Sequence, residues 1–297
     1  MRIISPVQNL WINLCTILIY QLIILIKEIN MKVIILGAGG MFGNTLIKTI
    51  SQDSNYTVYG TLRNETKFFD KNPSIKIFKN ISCEKISDLR EIFIQIKPDI
   101  IINCIGVVKQ LKEANDPELS IFTNSLFPHQ LYKLSNEISA RLIHISTDCV
   151  FSGKQGLYSE NDKPDPSDSY GLSKLLGEIN TENALTIRTS MIGHSINSNH
   201  GLIDWFLEQN LKIKGYRKAI FSGLTTLELS NVILKYVLTD NSLNGIIHIS
   251  NVPISKFDLL NLVSRVYKKS IIISPDDNLI LDRSLNSRKF LEHSGYN

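Results

Sequence analysis

The stretch "KVIILGAGGMFGNTLIKTI", positions 32–50, constrains the fold more than any other. A short β-branched run ends in closely spaced glycines, and the residues that follow carry Leu46, Ile47 and Ile50 at helical spacing. The alternation continues with "YTVYGTLR", "DIIINCIG" (99–106) and "RLIHISTDCVF" (141–151) as further strands, the last preceded by a helix around "SLFPHQLYKLSNEIS". Short apolar strands alternating with helices predict an α/β fold, a doubly wound parallel sheet with helices on both faces.

Gly37, Gly40 and Gly43 stand at GxxGxxG spacing, and Gly39 adds the second glycine of a GxG. A dinucleotide site needs a tight turn, close approach of backbone to pyrophosphate, and close packing of helix on strand. Glycine permits all three. Because the motif follows an apolar strand and opens a periodic helix, its context is that of a Rossmann phosphate turn built from Gly37, Gly39, Gly40, Met41, Phe42 and Gly43. Beyond the second strand comes Arg63, with no acid before Glu65 to bind a ribose 2′-hydroxyl. This favours NADPH, with NADH as the alternative.

Past Tyr170 the pattern is less regular. "ALTIRTSMIG", "GIIHIS" and "SIIISP" read as strands, and "GLIDWFLEQNLK", "TLELSNVILKYVLTD" and "SKFDLLNLVSRVYKK" as helices, with Ser255 as an N-cap of the last. The expected division is a dinucleotide-binding domain over 31–187 and a smaller, partly re-entrant α/β substrate lobe, mainly 188–297. Trp205, Phe206 and Leu207 read as lobe core.

Positions 10–26, "LWINLCTILIYQLIILI", are almost wholly apolar yet a little short for a spanning helix, and no small-residue cleavage site follows. Residues 1–30 are read as translated upstream of a start at Met31, with a membrane anchor as the alternative. A net charge of +4 without basic blocks argues against nucleic acid. Cys15, Cys83, Cys104 and Cys149 form no CxxC pair, and the six histidines show no ligand spacing, so no metal is expected and a reducing, cytoplasmic setting fits. Oligomeric state is open, a homodimer being one option.

The strand "LIHISTDCVF" would deliver Ser146, Thr147 and Asp148 to the crevice at the carboxyl ends of the strands, where the glycine turn also lies. In "SDSYGLSKLLGE", Tyr170 and Lys174 are four apart and share a helix face. A hydroxyl there can hold a substrate carbonyl while Tyr170 donates its proton, and Lys174 would lower the phenol's pKa.

Glycine turn, Ser-Thr-Asp strand end and YxxxK in this order resemble an extended short-chain dehydrogenase/reductase. "STDCVFSGKQGLYSENDKPDPSDSYGLSKLLGE" is similar to dTDP-4-dehydrorhamnose reductases, a likeness that extends over 31–297 and includes "DIIINCIG", "SIFTNSLFPHQL", "TIRTSMIG" and "GIIHISN". The resemblance implies Tyr170 as proton donor, with Lys174 as its partner that also holds the nicotinamide ribose. It implies Thr147, with Ser146, as the hydroxyls that orient the ketone. Asn103, Cys104 and Gly106 would line the adenine side, and Asn124 would support the cofactor site. Asp148, Cys149 and Arg188 would face the substrate, a nucleotide-linked 4-keto sugar. The implied reaction is hydride transfer from NADPH to C4 of a 6-deoxyhexulose.

Cys149 replaces the family's usual aromatic and Ser152 its acid, both expected near the sugar. "STDCVFSG", "SMIGHS" and "FSGLTTLEL" look closer to reductases acting on UDP-linked N-acetyl 4-hexuloses. A 4,6-dehydratase is set aside, because Cys149 stands where a second carboxylate would follow Asp148. A 4-epimerase remains the enzymatic alternative. A non-catalytic regulatory subunit, as this fold serves for a methionine adenosyltransferase, is the alternative from another class.

Overall fold

Val33, Ile34, Ile35 and Leu36 are all inaccessible to solvent, so β1 (Met31–Leu36) is covered on both faces. Period-two alternation sends Val33 and Ile35 into one apolar cluster and Ile34 and Leu36 into another. The same division recurs in β4 (Ile100–Asn103), with Ile100 and Ile102 on the first side and Ile101 on the second. A sheet greasy on both faces must be sandwiched by helices. The first cluster is closed by α1 (Met41–Ile50), through Leu46, Ile47 and Ile50, and by the helix from Thr226. The second is closed by α2 (Ile86–Ile96) and α4 (Phe127–Glu137). The short α3 (Pro117–Ile121) leads into α4 through a π-helical turn at Phe122–Leu126.

The computed structural model describes residues 30–64, 73–108, 116–196 and 201–296. The apolar run 10–26, Glu65 and His200 lie outside them. Among the described residues no helix is long and apolar enough to cross a membrane.

The central sheet has seven strands, all parallel. β2 (Tyr56–Thr61) and β3 (Ile75–Phe78) lie on one side of β1; on the other come β4, β5 (Arg141–Ile145), β6 (Ala184–Arg188) and a strand at Gly245–His248. Strand order therefore reverses between β1 and β4, and the crevice at that reversal is where open α/β sheets bind ligands. The return of Gly245–His248 beside β6 is the re-entrant step expected of the second half. β3 was not expected, because four residues with Lys76 among them give no readable apolar run.

Between β6 and the returning strand lie β7 (Met191–Ile192), α6 (Leu202–Glu208), β8 (Lys212–Tyr216), β9 (Ala219–Phe221), β10 (Leu224–Thr225) and α7 (Thr226–Val232). The returning strand, β11, is followed by β12 (Ile254–Ser255), α8 (Lys256–Val266), β13 (Ile272–Asp276), β14 (Leu281–Asp282) and α9 (Arg288–Ser294). Ser255 caps α8 by accepting from Asp258 N at 3.0 Å. Ile203, Phe206, Ile213, Phe221, Leu259, Leu260 and Val263 form the lobe's own core. Phe206 is fully buried there, whereas Trp205 is exposed.

Candidate active site

The glycine turn leaves no room for side chains. Gly37 lies at φ +80°, in the left-handed region, and a Cβ on Gly43 would stand 2.3 Å from Gly37 O. The turn is pinned by Ala38 N donating to Thr61 O at 3.0 Å and Gly40 N to Gly37 O at 3.0 Å. Gly40 is the N-cap of α1 and offers no side-chain cap, so the first-turn N–H groups are left to a ligand. A backbone cradle at a helix N-terminus, free of Cβ atoms, fits the pyrophosphate of a dinucleotide. Only backbone can serve at Phe42, because its side chain lies in the core, a correction to its expected place in the site. Met41 is half-buried, and Arg63 is exposed just past β2.

Across the crevice, Cys104 is half-buried and its thiol is pushed up to about 12, mainly by burial. A Cβ on Gly37 would press on Cys104 C at 3.2 Å, so the two segments touch. Asn103 was expected on the adenine side, but it is fully buried. Its Oδ1 accepts from Ile105 N at 3.1 Å and its Nδ2 faces His144 Nδ1 at 3.1 Å, which commits it to the sheet interior. Asn124, in the π-helical turn, is also spent internally: Oδ1 accepts from Val107 N at 2.9 Å, and Nδ2 donates to Val107 O at 3.0 Å and Ser173 Oγ at 3.1 Å. It fastens the loop containing Gly106 to α5 (Ser169–Leu176), the helix of Tyr170, and so acts as a support rather than a ligand.

Helix α5 begins at Asp168, whose Oδ1 accepts from Gly171 N at 2.8 Å. A Cβ on Gly171 would lie 2.2 Å from Cys149 O, so the glycine lets the helix rest directly on the turn after Thr147. This contact brings the two catalytic candidates together: Thr147 stands close enough to the Tyr170 phenol to oppose the rise in its pKa. Thr147 Oγ1 also donates to Asp148 Oδ1 at 3.2 Å and accepts from Cys149 N at 3.1 Å.

The expectation that Lys174 lowers the phenol's pKa is not met in this arrangement. Burial pushes the Tyr170 phenol above its ordinary value, with Cys149, Asp148 and Asp168 adding to the rise and Thr147 opposing it. Lys174 is buried, donates from Nζ to Ile145 O at 2.7 Å, and lies 3.4 Å from His144 Nε2. Burial lowers its pKa to about 8, against the pull of Glu178 and Cys104. Asp148 is raised by burial and drawn back by Arg283, Cys149, Thr147 and Lys256. The Cys149 thiol is pushed up to about 12 by burial and Asp148.

Ser146 and Arg188 do not join this group. Neighbouring strand residues point to opposite faces, and Ser146 Oγ donates to Glu178 Oε1 at 2.7 Å. Arg188 holds both Glu178 oxygens, at 2.9 and 2.7 Å, and lies 5.2 Å over the Phe151 ring. Both belong to a buried ion-pair network beneath the site, which corrects their expected roles toward substrate. Ser152 is likewise buried and donates its N–H to Asp165 Oδ1 at 2.8 Å.

Two cations that sequence reasoning missed arrive from the second lobe. Lys256, at the start of α8, lies 4.3 Å over the Phe221 ring and interacts with Asp148 and Cys149. Arg283 donates from Nη1 to Cys149 Sγ at 3.3 Å and from Nη2 to Ser167 Oγ at 2.9 Å. No periodicity relates either one to the Thr147 turn.

Comparison with known proteins agrees with this geometry. The family profile described as "RmlD substrate binding domain" matches residues 31–269. The probable low-salt glycan biosynthesis reductase Agl14 of Haloferax volcanii is 28% identical over 168 residues, 54% of this chain and 54% of that protein. The spore coat polysaccharide biosynthesis protein SpsK of Bacillus subtilis is 28% identical over 226 residues, covering 74% of this chain and 73% of its own length. The match thus spans about half of the first relative and more of the second. A crystal structure described as a hypothetical dTDP-4-dehydrorhamnose reductase from Sulfolobus tokodaii superposes with a TM-score of 0.74 at 26% identity, covering 88% of this chain and 94% of that one.

Proposed function

We propose that this chain, which belongs to the RmlD substrate binding domain family, is a cytoplasmic reductase that converts the 4-keto group of a nucleotide-linked 6-deoxyhexulose to a hydroxyl, using NADPH. The observation that carries the proposal is the close packing of the Tyr170 helix on the turn after Thr147, at Gly171 against Cys149 O, with Lys174 one turn further along the same helix. Thr147 follows the carboxyl end of β5, and the glycine turn that fits a dinucleotide follows that of β1, beside the reversal of strand order where open α/β sheets bind ligands. The names of both relatives, one a glycan biosynthesis reductase and one a spore coat polysaccharide protein, support a place in polysaccharide precursor synthesis.

When bound, NADPH supplies the hydride, and the chain supplies orientation and a proton. Thr147 hydrogen-bonds the ketone oxygen and fixes the carbon's face. Tyr170 gives its phenolic proton to that oxygen as negative charge develops on it. A phenol raised by burial rests protonated at neutral pH, which is the form a donor needs. Lys174 in its ammonium form would hold the nicotinamide ribose. Arg63 is the candidate for the 2′-phosphate of NADPH, and Asp148 and Cys149 border the sugar. Intact Thr147, Tyr170 and Lys174 favour this reading over a purely regulatory subunit.

The test is loss of NADPH absorbance by the purified chain offered dTDP-linked 4-keto-6-deoxy sugars and UDP-linked N-acetyl analogues in parallel. Oxidation with one panel supports the proposal and identifies the nucleotide. Tight NADPH binding without oxidation in either panel contradicts it.

A further inference from the structure

We infer that Arg283 is a positioning residue for the reduction proposed above, tying the two segments that carry Thr147 and Tyr170 to a rigid strap from the second lobe. The inference rests on that functional reading.

The strap, 281–286, is laced by backbone to the loop that leaves the Thr147 turn. Asp282 N donates to Gly153 O at 2.8 Å, Tyr158 N to Ser284 O at 2.9 Å, and Asn286 N to Tyr158 O at 2.7 Å. Side chains add to the lacing, with Leu157 N donating to Ser284 Oγ at 2.8 Å and Leu285 N to Ser222 Oγ at 3.0 Å. Gly153 and Gly156 both lie at positive φ, and Cβ atoms on them would meet Leu281 Cδ1 at 2.5 Å and Asp282 Oδ2 at 2.3 Å. A backbone held at this many points has one position, and Arg283 projects from its centre.

The guanidinium then divides its donors between the two catalytic segments. Nη1 donates to Cys149 Sγ at 3.3 Å, and Cys149 N in turn donates to Thr147 Oγ1 at 3.1 Å. Nη2 donates to Ser167 Oγ at 2.9 Å and lies 3.7 Å from Asp168 Oδ2. Asp168 is the N-cap of α5, holding Gly171 N beside Tyr170. One planar fork thereby sets the separation between the residue after the Thr147 turn and the cap of the Tyr170 helix. Lysine offers a point charge and cannot span both. The side chain is 12% exposed, so water competes little for these bonds.

The experiment compares wild type, Arg283→Lys and Arg283→Ala in the full chain, with Arg288→Ala as a control that loses an exposed pair to Glu292 within helix α9. A misplacement of about 1 Å costs on the order of 10²-fold in turnover. Arg283→Ala is therefore expected to lower kcat by that order while KM for NADPH stays within twofold, and added guanidinium should restore part of the rate. Arg283→Lys should remain well below wild type. Independently of turnover, hydrogen exchange at the Cys149 and Gly171 amides should quicken in Arg283→Ala, with the Gly40–Asn44 turn unchanged. Unaltered kcat in an active background, or unaltered exchange at those amides, overturns the inference. If Arg283→Ala does not fold, the kcat of Arg283→Lys decides, and wild-type turnover there overturns it. If wild type oxidises no NADPH with either panel, the functional reading fails and the exchange result alone decides whether the tie exists.

Discussion

A methyl group on Gly171 would strike the backbone of the Thr147 turn. Its Cβ would lie 2.2 Å from Cys149 O, whereas ordinary contact begins at 3.4 Å, so about 1.2 Å must be opened between α5 and the turn. Pro166 Cβ, 3.0 Å away, blocks a sideways escape. Two energetic effects oppose each other. Alanine gains up to about 1 kcal/mol over glycine inside a helix, and overpacking costs about 1–3 kcal/mol. The net loss of stability is then about 0–3 kcal/mol, too small to unfold the domain. The effect on turnover is larger, because the displaced gap is the one that brings Tyr170 to Thr147, and about 1 Å there costs on the order of 10²-fold. Gly171→Ala is expected to keep its urea midpoint close to wild type and bind NADPH normally, yet lose about 10²-fold in kcat. Full turnover in this variant would refute the argument that the glycine sets catalytic geometry.

Three further expectations follow from other parts of the molecule. Arg63→Ala should weaken NADPH much more than NADH in a fluorescence titration; equal loss for both would put the phosphate site elsewhere. Glu178→Leu leaves Arg188 buried without its counter-charge and should cost about 3–5 kcal/mol in urea unfolding, since a broken buried pair strands the partner's charge. His248 is held neutral, its pKa lowered to about 3 by burial and Arg188 against an ordinary 6.5, so the unfolded chain takes up its proton first. Its contribution to stability is complete above pH 6.5 and is lost as pH falls toward 3, so His248→Gln should unfold with a shallower acid dependence than wild type.

Legibility in the sequence followed the reach of each interaction. The glycine turn, the Ser-Thr-Asp strand end and the Tyr170–Lys174 spacing are local patterns, and each falls on the element the sequence assigned to it: the turn between β1 and α1, the residues that follow β5, and helix α5. Ser146 and Thr147 looked equivalent as neighbouring hydroxyls, yet strand alternation separates them and Glu178 claims the first. Arg188 read as a cation near substrate because its carboxylate partner, ten residues earlier, declares itself only when both are buried. Asn124, read as a support, does bind only protein groups, whereas Asn103, read as lining the adenine side, is buried with its amide turned to Ile105 N and His144. Arg283 was unreadable for a topological reason: 134 residues separate it from Cys149, and no period or spacing spans that distance.

The central claim is that Tyr170 gives the proton to the reduced carbonyl, and the Tyr170→Phe variant tests it most directly. NADPH affinity and the rate of substrate-dependent NADPH oxidation should be measured on the same preparation. Removing only the phenolic hydroxyl should leave affinity within about twofold and reduce kcat by about 10²–10⁴-fold, the range for a lost general acid. Wild-type turnover in that variant would contradict the account.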